Sequence, residues 1–439
     1  MKRILLLTLM SSAVLPAQER PALPLSLAKA VELALAPDGN TRVALAREAI
    51  ETGEARKRQA LGYLMPTFDG QFAYQNFTRN LAAFGVSIKV PGFSLPAVVG
   101  PFDVLDFRAT ASYPFFDLPS FIRYRAYLAL LESTKADLGT ARQQTAGTVA
   151  KAYVYALRAE SAVEAARANV ALADRVLKLS HDQKDAGTGT GLDVTRAEVQ
   201  AASEGQRLLQ AQEDRKIAVL QLLRVIDISL SGDVELTDRF RDESTDAPAA
   251  AQALDNARQH RPEMEAESDR TRAARLNYRA SKFESVPTAT AIGDYGTSGL
   301  AGEALQPTHT FGISVKVPIW DGGKRRGRRD EALSNFRQQE IRTRDVSQQI
   351  ELEVRSALAA LESSAAQAKV AREALRLSEK ELEQAQRRYE AGVAASVELT
   401  DAQTRVARAR ESQAAALARY NAARIDLDVS VGQQPSMAQ

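Results

Sequence analysis

The chain contains no cysteine, which excludes a disulfide framework, a thiolate metal site, a cysteine nucleophile and a lipidated cysteine. Only three histidines, His181, His260 and His309, are spread over 439 residues. They lie too far apart in sequence to suggest a histidine metal cluster, and no metal site or cofactor is expected. Long apolar runs are equally scarce. Beyond the first residues no stretch approaches the roughly 20 consecutive apolar residues that a membrane helix requires, so any membrane contact must be made by another route. Nor is there an excess of charge: 57 Lys and Arg face 55 Asp and Glu, a formal +2, which gives no electrostatic footprint for a nucleic-acid partner. With 45% hydrophobic and 26% charged residues, the composition excludes a disordered tail or a collagen, and the length would serve two or three ordinary domains.

The N-terminus has the form of a targeting segment. Lys2 and Arg3 make a basic region, Ile4 to Met10 a short apolar one, and Leu15-Pro16-Ala17 a cleavage site before Gln18. A signal peptide at 1–17 and export of the remainder are expected.

The remainder is organised as two copies of one plan. Tyr113-Pro114-Phe115-Phe116-Asp117 aligns with Val317-Pro318-Ile319-Trp320-Asp321 at an offset of 204 residues. Gly187, Asp193, Val194, Thr195 and Ala197 align with Gly392, Glu398, Leu399, Thr400 and Ala402 at an offset of 205. The expected repeats are 18–235 and 245–432, with hairpin tips near 187 and 392 and a short tail at 433–439. Within each copy a proline-free stretch follows the Pro-X-X-Asp landmark. In the first, Val149, Ala152, Ala156, Ala159, Val163, Ala166, Val170, Ala173 and Leu177 keep a 3-4 spacing. In the second, Val354, Ala357, Leu361, Ser364, Ala368, Ala371, Leu375, Ser378, Leu382, Ala385 and Tyr389 do the same. Sustained a/d periodicity predicts coiled-coil packing, and its alanines predict close approach. Helices from Pro119 to Asp185 and from Gly323 to Glu390 would each rise roughly 100 Å, far more than a compact domain needs.

Four segments instead alternate with a period of two, at about 67–78, 104–117, 287–297 and 309–320. Phe68, Gly70, Phe72 and Tyr74 alternate with Asp69, Gln71, Ala73 and Gln75. Phe107, Ala109 and Ala111 alternate with Arg108, Thr110 and Ser112. Ala289, Ala291, Gly293 and Tyr295 alternate less cleanly with Thr288, Thr290, Ile292 and Asp294, and Phe311, Ile313 and Val315 alternate with Thr310, Gly312 and Ser314. Segments of about ten residues with one apolar face fit transmembrane β-strands. Four strands cannot close a membrane barrel, so several chains must contribute to one. The Gly, Pro and aromatic-rich stretch from Phe84 to Phe102 reads as an extended loop.

These features resemble the outer-membrane efflux proteins of the TolC type, over nearly the whole mature chain. The resemblance is carried by Leu25-Ser26-Leu27-Ala28-Lys29-Ala30-Val31-Glu32-Leu33-Ala34-Leu35, by Arg261-Pro262 and by Val317-Pro318-Ile319-Trp320-Asp321-Gly322-Gly323. Above all it is carried by Arg388-Tyr389-Glu390-Ala391-Gly392 followed by Val397-Glu398-Leu399-Thr400-Asp401-Ala402-Gln403. It implies a mixed α and β membrane protein, a homotrimer whose long antiparallel helices form an α-helical barrel and whose protomers each give four strands to one 12-stranded transmembrane β-barrel. The implied role is a passive exit duct from the cell outer membrane into the periplasm. Its implied partners are a periplasmic adaptor (membrane fusion) protein, an inner-membrane transporter of RND or ABC type, and outer-membrane lipid, in a tripartite efflux pump or a type I secretion system. Many relatives carry an acylated cysteine at the mature N-terminus, which this chain lacks.

The resemblance also implies a periplasmic gate at the hairpin tips, matching Tyr389, Glu398 and Asp401 in the second copy and Asp193 in the first. Ala394 stands where some members have an arginine, and Lys184 where an aromatic is expected. By spacing alone, Glu398 and Asp401 share a helix face. Asp193 reads equally as a gate carboxylate and as the partner of Thr190 in a capping box. Gly187 and Gly392 read as turn formers, at the tips that the resemblance sets against the adaptor. Lys324-Arg325-Arg326-Gly327-Arg328-Arg329 follows a strand and reads as a collar for lipid headgroups in preference to a nucleic-acid patch. Gly322-Gly323-Lys324 lacks the rest of a phosphate loop, and no catalytic arrangement stands out, so an enzyme is not expected. The rival reading is a periplasmic coiled-coil adaptor or structural protein.

Overall fold

The computed structural model describes residues 23–37, 39–85, 89–90, 93–94, 96–232, 234–241 and 248–435. The signal segment expected at 1–17 and residues 436–439 of the expected tail lie outside the described residues. In chain order the elements are β1 (Leu23–Leu25), α1 (Leu27–Leu35), α2 (Thr41–Gly62), β2 (Thr67–Asn80), β3 (Lys89–Val90), β4 (Phe93–Ser94), β5 (Val98–Phe116), α3 (Leu118–Asp185) and α4 (Gly191–Val225). They continue with β6 (Val234–Leu236), α5 (Ala250–His260), α6 (Pro262–Phe283), β7 (Thr288–Leu300), β8 (Gln306–Lys316), α7 (Lys324–Glu390) and α8 (Ser396–Ser430).

Two compact units form. One draws on Met1–Ala44, Arg142–Ala257 and Glu353–Gln439, the other on Leu45–Ala141 and Arg258–Leu352. Each takes segments from both halves of the sequence, so the halves are interleaved in space and do not fold as successive domains.

The second of these units holds a four-stranded sheet in the order β2-β5-β7-β8, antiparallel throughout. Its four helix junctions all fall at one end, because Thr67 pairs with Ser112, Phe116 with Ala289 and Thr288 with Lys316. The register sorts the side chains by face, since directly paired residues of a sheet share a side. Phe72 pairs with Phe107, Gly293 with Phe311 and Ala291 with Ile313, which assembles one apolar face. Its side chains stand exposed, and the Phe72 and Phe107 rings sit 4.7 Å apart. The opposite face is polar. There Arg108 donates to Asp294, reaches Thr308 Oγ1 at 3.1 Å and Asp106 Oδ2 at 3.4 Å, joining three strands.

Two strand limits differ most from those expected. β5 begins at Val98 and so runs back into the stretch read as a loop. It tolerates Pro101 and Pro114 because each sits at a register shift, opposite the Phe77/Arg79 step on β2 and between Tyr113 and Phe116 on the β7 side. There no ladder bond from the missing N–H is required. β8 stops at Lys316, where its partner β7 begins. Val317 to Trp320, expected as strand, pair with no strand among the described residues, and Pro318 has no N–H to donate.

The first-named unit is built on the long helices. In α7 all eleven seam positions from Val354 to Tyr389 are buried or half-buried. In α3 the buried face is wider, adding Ala150, Tyr153, Val154 and Leu157 to the seam. The reason is an extra layer: α1, β1 and β6 pack with α3, α4 and α8 around Leu25, Leu27, Val31, Leu222, Ile226 and Ile425. β1 and β6 are parallel, with Leu23 opposite Val234. Tyr153 ties this layer together, donating to the Leu25 carbonyl at 2.9 Å and accepting from the Asp238 N–H at 3.2 Å. Burial pushes its phenol up to about 12.

The two sheet faces should tolerate charge differently. Arg placed at Phe107 or Ile313, on the apolar face, should cost about 2–4 kcal/mol of membrane assembly if the site lies near the bilayer midplane. Arg at Thr110 or Ser314, on the polar face, should be much milder. Heat-modifiable mobility of the membrane-inserted protein measures the difference, and equal damage at both pairs of sites would mean the faces are reversed.

Candidate functional site at the helical hairpin tips

Both hairpin turns close in the same way. The α3 helix ends at Gly187 with φ +72° and the α7 helix at Gly392 with φ +70°. Gly187 N–H donates to the Lys184 carbonyl and Thr188 N–H to that of Gln183; Gly392 and Val393 repeat this onto Tyr389 and Arg388. This paired return of N–H groups onto the last helical turn is the Schellman arrangement, which glycine allows because it enters the left-handed region without strain.

The following helices start differently. Thr190 caps α4: Asp193 N–H donates to Thr190 Oγ1, and the Asp193 carboxylate accepts from Thr190 N at 3.2 Å and Thr190 Oγ1 at 2.7 Å. At the equivalent place before α8 stands Ala395, with no side-chain cap. Glu398 therefore has no capping hydroxyl and turns back to Arg388, with 3.0 Å from Nε to Oε1. Asp401 is exposed and has no ion-pair partner among the described residues.

The two tips are joined to each other. Ser396 Oγ donates to Asp193 Oδ1 and accepts from Arg196 at 3.4 Å. Tyr389, only 5% exposed, packs with Leu172, Val176, Leu382, Leu399 and Val406. Its hydroxyl meets Ser180 Oγ at 3.2 Å, and Gln183 donates to its carbonyl at 3.3 Å. Tyr389 thus clamps the two hairpins inside one chain, while Asp401 and the Arg388–Glu398 pair stand on the surface.

Three partners of this site were not singled out from the sequence, and a fourth, Arg388, was named only within a motif. Ser396 aligns with Gly191 at the 205-residue offset, so the duplication hides it. Ser180 and Gln183 look like ordinary helical positions. Arg388 was visible, since an arginine and a glutamate flanking a glycine turn in opposite charge are placed to meet.

The Asp193 carboxyl is held below its ordinary value, first by the Ser396 hydroxyl and then by Thr190, against a smaller opposing effect of burial. A depressed carboxyl stabilises the tip above the ordinary carboxylate range, and the contribution is lost as the pH falls through the lowered value.

Residues 102–226 and 253–433 match the sequence pattern of the family described as outer membrane efflux protein, and the chain belongs to that family. It is accordingly a protein of the outer membrane. Over 224 residues it is 25% identical to the pyoverdine export outer membrane protein OpmQ of Pseudomonas aeruginosa, covering 50% of this chain and 47% of that one. Over 220 residues it is 22% identical to the alkaline protease secretion protein AprF of the same organism, covering 48% and 45%. The chain thus spans about half the length of the curated relatives it matches. Its fold resembles that of the Campylobacter jejuni CmeC outer membrane channel, with a TM-score of 0.79 at 17% identity over 94% of this chain and 87% of the other.

Removing the Ser396 hydroxyl isolates its contribution. In Ser396→Ala the acid-induced loss of amide-exchange protection at Val194 and Leu399 should move to higher pH than in the unaltered chain. An unchanged profile would assign the depression at Asp193 to the capping box alone.

Proposed function

We propose that the protein is the outer-membrane exit duct of a tripartite efflux pump or type I secretion system, and that it has no enzymatic activity of its own. The observation that carries this reading is the sheet: four antiparallel strands, an exposed apolar face, a polar face and two unpaired edges, β2 and β8. In the reading a homotrimer closes these edges into a 12-stranded barrel, and the paired hairpins of three chains form an α-helical barrel. An adaptor docks at the turns of Gly187 and Gly392, and a transporter in the inner membrane supplies the energy. The duct itself conducts passively.

The same reading makes the tips a gate, with its parts divided. Tyr389 and Asp193 hold the two hairpins of one chain together through Ser180 and Ser396. Glu398 and Asp401 would face the axis. Because Glu398 already has Arg388 as its partner, the net negative charge of the ring rests on Asp401. An exposed pair such as Arg388–Glu398 is worth little, about 0–1 kcal/mol, so it can open without a large barrier. Relatives named for pyoverdine export and for alkaline protease secretion leave both kinds of substrate within the family's range.

Charge concentrated in a narrow pore attracts multivalent cations strongly. In planar bilayers the protein should show a small, mostly closed, cation-preferring conductance, blocked from the side of the helical tips by trivalent cations. Asp401→Ala should weaken that block at least tenfold, whereas Glu398→Ala should change it less, and neither should disturb the trimer. Block of equal affinity in all three proteins would remove these carboxylates from the gate.

A further inference from the structure

The first two turns of α7 carry Lys324, Arg325, Arg326, Arg328 and Arg329, with no acidic residue in the first turn. This is the wrong end of a helix for positive charge, because the macrodipole already presents a partial positive charge there. Two of the five are fixed locally. Arg325 holds Asp321 at 3.1 Å and the Pro318 carbonyl at 2.9 Å, and Arg328 holds Glu284 at 2.8 Å. The other three are left over. Lys324 is exposed and makes no ion pair among the described residues. Arg326, 81% exposed, and Arg329 share the single carboxylate of Asp330 as ion-pair partner, at 3.9 and 3.6 Å.

Beside them the apolar face of the sheet does not stop where the strand stops. Phe311, Ile313 and Val315 are followed at the same spacing by Val317 and Ile319, and then by Trp320. Ile319 is 90% and Trp320 85% exposed. An exposed aromatic next to an excess of cations, at the end of an apolar strand face, is the pattern of a membrane interface.

We propose that Lys324, Arg326 and Arg329, with Ile319 and Trp320, form a docking site for anionic phospholipid headgroups on the leaflet facing the helices. Three cations with only the Asp330 carboxylate between them leave a net positive charge that provides the complementarity, and continuity with the apolar strand face sets the depth. Trp320 seats its ring at the headgroup level while the three cations hold lipid phosphates. The site rests on the membrane placement of the sheet proposed above.

Trp320 is the only tryptophan of the chain, so its fluorescence reports this site without labelling. The full protein is reconstituted into phosphatidylcholine bilayers in which the same minor fraction of lipid carries brominated chains, either on phosphatidylglycerol or on phosphatidylcholine. A basic residue near a membrane surface contributes about fivefold in the partition of anionic lipid. At low salt, brominated phosphatidylglycerol should therefore be enriched beside Trp320 by at least about fivefold over brominated phosphatidylcholine, and the preference should fall as salt screens it. The triple variant Lys324→Gln, Arg326→Gln, Arg329→Gln should bring the two lipids within about twofold. A control triple, Lys178→Gln, Lys369→Gln, Lys380→Gln, should keep the preference.

Equal quenching by both lipids in the unaltered protein overturns the headgroup site while leaving the membrane placement standing. Quenching by neither lipid overturns both. A preference retained by the first triple variant, or lost in the control, also overturns the assignment to these three cations.

Discussion

The structure depends on a backbone constraint at the two edges of one sheet. β2 and β8 each present a row of N–H and C=O groups with no partner strand among the described residues. In water such an edge invites aggregation, and in hydrocarbon it is untenable because nothing there can accept or donate. The exposed apolar face that carries Phe72, Phe107, Phe311 and Ile313 adds a second demand, since it needs lipid where the edges need strands. On the proposed membrane placement, further copies of the chain that continue the sheet and close it would meet both together. The directions agree, because the alternation from β2 to β8 leaves the outer edges antiparallel to one another. Another copy can therefore extend the ladder without reversing.

The helices answer a related demand. In the proposed duct the strands serve only the membrane, and a wall outside it needs another element. α7 offers a narrow seam for it, with alanine and serine at many of its positions, along which helices can approach closely. Small seam residues bring little apolar area, about 25 cal/mol per Å² buried, so a hairpin held by them alone is weakly fixed at its end. At the tips polar ties take over: Tyr389 with Ser180, and Ser396 with Asp193. Both ties lie within one chain. The proposed gate, if it opens by moving hairpins apart, would therefore keep each chain's own pair intact while Arg388–Glu398 and Asp401 respond to the neighbours.

Much of this was legible in the sequence, for periodic reasons. The period of two in Phe68 to Tyr74 and in Phe311 to Val315 survives because one side of each strand meets a different medium from the other. The seam from Val354 to Tyr389 survives because a helix that packs along its whole length must repeat its contacts. What was hidden lacks a period. The extra burial of α3 around Tyr153 comes from α1, β1 and β6, elements far away in sequence. The start of β5 at Val98 was masked by Pro101, which a bulge makes harmless. Asp193 could be read as a cap or as a gate residue. The structure gives it the capping box and also a link to Ser396, which no spacing rule connects to it. The end of β8 was overrun because Ile319 continues the alternation, although no strand lies beside it.

The central claim is that copies of this chain close the sheet through β2 and β8, and the absence of native cysteine makes it directly measurable. Cysteines introduced at Gln71 on β2 and, one at a time, at Thr308, Thr310, Gly312 and Ser314 on β8 place both thiols on the polar face. Oxidation of the membrane-embedded protein should give disulfide-linked dimers and trimers at one or two neighbouring β8 positions, with the ladder ending at the trimer. Crosslinks at none of the four positions, or a ladder that continues past three chains, would contradict a barrel closed by three copies.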